Sequence, residues 1–347
     1  MGQVLRFTAP GQVDIVEESL PRMSGAQVHV QTLFSGISAG TELSAYRGTN
    51  PYLTRTWDPD LSLFLPEAGA GVAYPLTGWG YSEVGRVTEI GSDVDAVQVG
   101  DVVWGIWGHR TEALLNQESL RGHVMPLGAQ PEAGTFSRVA SVALNAVLNA
   151  QLGIGSVVGV MGLGVIGLLS ARFAVLSGAT VIGIDPIASR RELAAAWGAH
   201  HVMPPSADLA LQVRGLTDGL GADVVLELSG NDQALHESTR LVGRDGIVVA
   251  SGFYQGAATN LWLGEEFHHN RVRLQCSQIG SVPPQLASRW SRERLVQAAT
   301  SRVLQGDPDV GSLISHRYPL DEASRAYQLL DQHGNQTLQV LFTMGED

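Results

Sequence analysis

The string Gly162-Leu163-Gly164-Val165-Ile166-Gly167 lies between a short apolar run, 157–161, and an apolar stretch of helical length. This spacing suits a pyrophosphate. The first glycine bends the chain sharply, the second lets backbone approach the phosphates, and the third lets the helix pack on the strand. The helix N-terminus then offers unpaired N–H groups and a partial positive charge. Asp185 closes the next β-rich run, 180–184, where a carboxylate can accept hydrogen bonds from an adenosine ribose about 20 residues on. These residues predict a dinucleotide site, although the same glycines would also suit a tight turn that holds no ligand. Asp185 favours NAD over NADP, because a carboxylate repels a 2′-phosphate. Arg190 and Arg191 follow closely and could pair with such a phosphate, but Asp185 outweighs them. Ser229-Gly230 and Gly252-Phe253-Tyr254 end later strand-like runs, at the edge where open α/β sheets bind ligands. Ser229, Gly230 and Phe253 are therefore expected beside the cofactor.

Composition removes several chemistries. All 22 basic residues of the 347-residue chain are arginine. A Schiff-base lysine, a pyridoxal-phosphate site and a P-loop lysine are thereby excluded. Cys276 is the single cysteine, which rules out a disulfide framework and any multi-cysteine zinc site. A net charge of −12 argues against nucleic acid and anionic membranes as partners. The first ten residues have no apolar core of a secretory signal, and no run approaches the length of a membrane span. A cytoplasmic protein acting on a small molecule is the expectation.

The chain is too long for one ordinary core, so two domains are expected. Runs 4–8, 13–17, 27–33, 83–90 and 101–106 are strand-like and separated by Gly and Pro, which predicts a barrel-like β domain. Between them, 49–73 reads as a long irregular loop rich in Pro, Gly and aromatics, including Tyr52, Trp57 and Phe64. Beyond about residue 120, strands and helices alternate: helix 190–197, strand 201–203, strand 223–228, helix 233–241, strand 246–251 and strand 271–276. Continuous apolar strands in that alternation predict a parallel sheet covered on both faces. Helices 292–305 and 320–332 and a last strand, 337–342, should return to one of the domains.

These features together resemble the medium-chain dehydrogenase/reductase superfamily. The resemblance is carried by the β-rich first third, the central glycine string, the acid closing the next strand, Gly100-Asp101-Val102-Val103, and the ending 316–326 with 338–342. It runs essentially end to end. The strings Ser35-Gly36-Ile37-Ser38-Ala39-Gly40-Thr41-Glu42 and Gly264-Glu265-Glu266-Phe267-His268-His269-Asn270-Arg271 are most similar to the branch holding bacteriochlorophyllide dehydrogenases. The resemblance implies an α/β protein: a Rossmann doubly wound parallel sheet, 121–282, carrying NAD(P), and a GroES-like β-barrel catalytic domain, 1–120, completed by 283–347. It also implies a homodimer, and it sets Asn145 at a position facing the nicotinamide.

Departures from the family pattern concern the metal. Zinc relatives take one ligand from a cysteine in a segment matching 36–42, where Ser38 or Ala39 stands here. A second comes from Gly-His-Glu, which aligns with Gly80-Tyr81-Ser82. The third is a Cys or Glu expected in 138–145, which has neither. No conventional zinc is expected, since catalytic zinc needs three such ligands and an open position. The replacements point to hydroxyl donors, Tyr81, Ser38 and Thr41, with Glu42 close by, to stabilise developing oxyanion charge. Tyr81 could equally be packing where a metal would sit. His109, in Trp107-Gly108-His109-Arg110, and the pair His268-His269 are further candidates, and an unusual metal site of His109 with Glu42 or Glu83 stays open. Three functions follow from the resemblance: a zinc-independent alcohol/ketone oxidoreductase, a reductase of activated C=C bonds, or a dinucleotide-binding protein without catalysis.

Overall fold

The structure, a computed structural model, describes residues 2–65 and 71–345. The chain divides into two compact units, Met1–Arg138 with Val303–Asp347, and Val139–Arg302. These divisions fall later than the sequence-based 120/121 and 282/283. On the N-terminal side, the turn Pro131–Phe136 packs against strands of the first unit.

In the first unit, β1 (Gly2–Ala9) runs antiparallel to β2 (Gln12–Glu18). Next come β3 (Gln27–Ile37) and α1 (Ala39–Arg47). The ribbon of β4 (Thr56–Asp58) and β5 (Leu63–Leu65) interrupts the expected long loop, whose residues 66–70 lie outside those described. β6 (Leu76–Thr77), β7 (Glu83–Ile90), β8 (Val102–Gly105) and β9 (Glu112–Asn116) follow. β6 completes a three-stranded sheet with β1 and β2, while β3 pairs antiparallel with β7 and β9. α1 was not legible from periodicity, because Glu42 and Ser44 are buried on it beside Leu43, Ala45 and Tyr46.

The second unit opens with α2 (Ser137–Ala150), which straddles the division. It continues with β10 (Val157–Met161), α3 (Val165–Leu176), β11 (Thr180–Ile184), α4 (Ala188–Ala196) and β12 (His201–Met203). α5 (Leu209–Leu216), β13 (Ala222–Glu227), α6 (Asp232–Leu241), β14 (Val242–Ala250) and β15 (Arg273–Cys276) complete the parallel sheet and its cover. The strand order β12-β11-β10-β13-β14-β15 is that of a doubly wound sheet, reversing between β10 and β13. Its strands are nearly all apolar because helices cover both faces. Val158, Val160, Val181, Ile182, Val225, Leu226, Val248 and Val249 are all fully buried.

After α7 (Arg292–Leu304) the chain returns to the first unit as β16 (Ile314–Pro319), α8 (Ala323–Gln332) and β17 (Gln339–Thr343). β17 pairs antiparallel with β3, so the expected terminal strand finds its partner in the β-rich unit. α8 brings Tyr327 into an aromatic core, stacked on Tyr46 and edge-on to Phe7, which also meets Trp79. Among the described residues no helix is long and apolar enough to cross a membrane. Phe7 is completely buried at the centre of this cluster. Phe7→Ala should therefore lower unfolding free energy by about 3–5 kcal/mol in denaturant titration.

Candidate active site and dinucleotide site

In the first unit the site is built on α1. Ser38 is its N-cap residue, yet its hydroxyl makes no capping bond. Glu42 makes a different bond at this end: its Oε1 accepts the Ser38 backbone N–H at 2.7 Å. A carboxylate in the first turn also suits the helix dipole. The Ser38 hydroxyl instead hydrogen-bonds the Tyr81 hydroxyl. Thr41, in the first turn of α1, lies close enough to the Tyr81 hydroxyl to draw its pKa down. Ser38, Thr41 and Tyr81 are all half-buried. Burial pushes the Tyr81 phenol above its ordinary value, and Glu42 adds to this, against the lowering effects of Ser38, Thr41 and Arg138. Tyr81 stays a neutral donor at physiological pH.

Beneath this cluster lies a wholly buried chain. His109 Nε2 is 2.7 Å from Glu42 Oε2, and neither side chain has any exposure. His109 Nδ1 is 2.6 Å from Ser35 Oγ, which donates to Glu83 Oε1 at 3.1 Å. The imidazole thus faces the Glu42 carboxylate on one ring nitrogen and the Ser35 hydroxyl on the other. Tyr327 donates to Glu42 Oε2, and the Trp107 N–H donates to Glu83 Oε2 at 2.8 Å. Burial pulls the His109 pKa down, but the charge and hydrogen bond of Glu42, with Glu83 behind, leave it raised overall. Burial holds the Glu83 carboxyl above its usual range despite His109. Gly80 (φ +106°) joins the two layers. A Cβ there would sit 3.0 Å from His109, so only glycine lets Tyr81 follow so closely.

Sequence reasoning grouped Glu42 and His109 with the substrate-facing residues. In the structure both are sealed from solvent and hydrogen-bonded to one another, and Glu42 also holds the Ser38 N–H. Ser35, Glu83 and Tyr327 complete their network, and Tyr327, some 285 residues from Glu42, left no local signal. His268 and His269 are exposed and lie edge-on to each other on the second unit.

In the second unit the glycine string does what its spacing requires. Gly162 adopts φ +90°, and a Cβ there would lie 2.9 Å from Ser229 N. A Cβ at Gly167 would lie 1.8 Å from Gly162 O, so the third glycine permits the helix to close on the turn. At Gly164 a Cβ would meet nothing within 4 Å, which leaves the approach to the α3 N-terminus open. Val165 and Ile166 form the first turn, whose N–H groups have no partner within the helix. Asp185 is nearly buried: it accepts the Leu163 N–H on Oδ2 and the Ile187 N–H on Oδ1, both at 2.8 Å. Arg190 Nη1 lies 3.8 Å from Asp185 Oδ2. Asp185 thus holds the glycine turn directly, and each oxygen keeps a second lone pair. Ser229, Gly230 and Phe253 stand at the same C-terminal edge of the sheet. Asn145 is fully buried and its amide nitrogen donates to the carbonyls of Ser277, Gln278 and Ser281. That leaves its Oδ1 as a buried acceptor without a donor. These residues fit a dinucleotide: the α3 N-terminus for the phosphates, Asp185 for a ribose and an unsatisfied amide acceptor near β15.

Comparison with known proteins agrees with this architecture. Residues 165–293 match the family model described as zinc-binding dehydrogenase. The D-guloside 3-dehydrogenase of Escherichia coli is 30% identical over 343 residues, covering 96% of this chain and 97% of that protein. A Sinorhizobium meliloti protein solved with NADP bound superimposes with a TM-score of 0.78 at 24% identity, over 99% of each chain. The 2R,3R-butanediol dehydrogenase of Bacillus subtilis gives 0.79 at 20% identity, over 99% of this chain and 100% of that one. The chain belongs to the medium-chain dehydrogenase/reductase superfamily, in its zinc-binding dehydrogenase family, and is an oxidoreductase with a Rossmann unit and a GroES-like unit. The family name implies zinc, but the donors at the hydroxyl cluster do not fit it. Neutral hydroxyls are poor zinc ligands, and Glu42 and His109 are hydrogen-bonded to each other. Among the described residues no three His, Cys, Asp or Glu side chains come together as a metal-holding group.

The raised His109 pKa has a sign. The stability it contributes is fully present below its ordinary value of 6.5 and is lost as pH rises through the folded-state value. Denaturation between about pH 6 and 9 should show stability falling as pH rises. His109→Gln should flatten that slope and cost about 3–5 kcal/mol, because it leaves buried Glu42 without its counter-charge.

Proposed function

We propose that this protein interconverts a secondary alcohol and a ketone with a nicotinamide dinucleotide, without catalytic zinc. The observation that carries this reading is the Tyr81 hydroxyl, hydrogen-bonded to Ser38, with Thr41 beside it, and kept neutral by burial. A neutral phenol donates to a carbonyl or alkoxide oxygen, and this stabilises the charge that a Lewis acid would otherwise stabilise. The cofactor, when bound, supplies or accepts the hydride. Within the chain, Tyr81 holds the proton at its Oη, Ser38 and Thr41 orient that hydroxyl, and Glu42 fixes the start of α1 that carries both. The half-buried setting limits water around the reacting oxygen, which strengthens a hydrogen bond there. The relative's name, which specifies dehydrogenation of a D-guloside, supports a hydroxylated small molecule as substrate class. The strings 35–42 and 264–271 support a place beside the bacteriochlorophyllide dehydrogenase-like members without selecting their substrate.

NAD is the cofactor this reading favours, because Asp185 stands at the adenosine end with a spare lone pair on each oxygen. NADH should bind more tightly than NADPH in fluorescence titration, and Asp185→Ala should narrow the difference. Equal affinities in the wild type would mean that Arg190 and Arg191 govern the choice.

The chemical role is tested by Tyr81→Phe, which keeps the ring and removes the hydroxyl. Turnover of ketones should fall on the order of 10²-fold with little change in melting temperature. Unchanged turnover would remove Tyr81 from the mechanism. A large stability loss with normal turnover would make it a structural hydrogen bond instead.

A further inference from the structure

Glu227 ends β13, and nothing in the chemistry above uses it. The strand is otherwise apolar where it is buried, and the Glu227 side chain is fully enclosed. Oε1 accepts the Ser229 N–H at 2.8 Å and the Ser229 hydroxyl. Oε2 accepts the Gly230 N–H at 3.3 Å and the Tyr254 hydroxyl. Backbone N–H groups can only donate, and one sits on each oxygen, so both oxygens act as acceptors. Four donors gathered on the two oxygens, two of them backbone N–H groups, favour the charged carboxylate. Burial leaves its pKa raised overall, although the Ser229, Tyr254 and Gly230 donors draw it part of the way back. Every donor on it is neutral, so no cation within hydrogen-bond reach cancels its charge.

The position of this carboxylate is defined by the loops it gathers. The Glu227 carbonyl accepts N–H groups of Ser251 and Gly252 at 2.9 and 3.0 Å, so the chain leaving β14 also closes on this residue. The two loops touch so tightly that a Cβ at Gly252 would lie 2.3 Å from Gly230 N. The turn after β10 joins them, since Gly162 abuts Ser229. Glu227 therefore lies at the C-terminal edge of the sheet, beside the reversal between β10 and β13. It is on the half, β13 to β15, that the second mononucleotide of a dinucleotide uses.

We propose that Glu227 is a fixed counter-charge for the oxidised nicotinamide, so that the protein holds the cationic cofactor more tightly than a neutral one of the same shape. This rests on the dinucleotide reading above. The oxidised ring carries a positive charge that the reduced ring lacks, so a buried negative charge acts on one redox form and spares the other. For a separation on the order of 10 Å and an effective dielectric of about 20, Coulomb's law would change such an equilibrium roughly tenfold. The effect is a bias of the bound couple toward the oxidised form, exerted without contact with the reacting atoms.

The test compares NAD with benzamide adenine dinucleotide, in which a neutral carbon replaces the charged ring nitrogen, by calorimetric titration of the full chain. Wild-type protein should bind NAD about tenfold more tightly than the analogue. Glu227→Gln should erase that preference and leave affinity for the analogue unchanged, whereas Tyr254→Phe, which keeps the charge, should retain it. Equal binding of the two dinucleotides by wild type overturns the proposal, and this arm needs no variant to fold. A preference that survives in folded Glu227→Gln overturns it too. If wild type binds the analogue and NADH but prefers neither redox form, the dinucleotide reading stands and the counter-charge falls. If it binds no nicotinamide dinucleotide, both fall.

Discussion

The first unit depends on one buried ion pair, Glu42 with His109, at 2.7 Å and without solvent exposure. Removing both charges from water costs several kcal/mol each, and only full satisfaction by partners offsets that. The partners are therefore extensive: Ser35 and Glu83 behind the imidazole, Tyr327 and the Ser38 N–H on the carboxylate. They tie together α1, β3, β7, the segment before β9 and α8, from opposite ends of the chain. A network of this kind has one satisfied arrangement, so it fixes where α1 begins. The location of Ser38, and hence the direction of the Tyr81 hydroxyl, follows from that.

The second unit repeats the device with a different partner set. Asp185 grips the glycine turn through backbone N–H groups, and Glu227 grips the loops after β13 and β14. In both cases a carboxylate at a strand end satisfies N–H groups that would otherwise lie unpaired where the sheet gives way to loops. Loops built this way are held without a ligand. A pre-formed edge costs less ordering when a cofactor arrives.

The doubly wound sheet was readable because its signals are local. Glycine spacing, apolar strands and an acid at a strand end all sit within a few residues, and β12 falls at residues 201–203 as the run His201–Met203 implies. The candidate site was readable only in part. Ser38 and Tyr81 emerged from departures at positions where zinc relatives keep ligands, Thr41 from a match to their substrate-contacting hydroxyl, and the structure brings these three together. α1 was hidden because its buried face includes Glu42 and Ser44, which breaks the apolar period that marks a helix. The roles of Glu42 and His109 were hidden for a related reason. A charged residue reads as exposed or reactive until its partners are known, and Tyr327 and Ser35 are brought to it only by the folded chain. Glu227 carried one weak mark, a carboxylate closing an apolar strand two residues before Ser229.

The central claim is that hydroxyl donors, held by a buried ion pair, stand in for a metal in a family named for zinc. Metal content measured on the purified, active protein tests this most directly, with ketone turnover followed before and after exhaustive chelation. The expected result is far less than one zinc per chain and turnover that chelation leaves unchanged. About one zinc per chain, with turnover lost on chelation and restored by zinc, would contradict it.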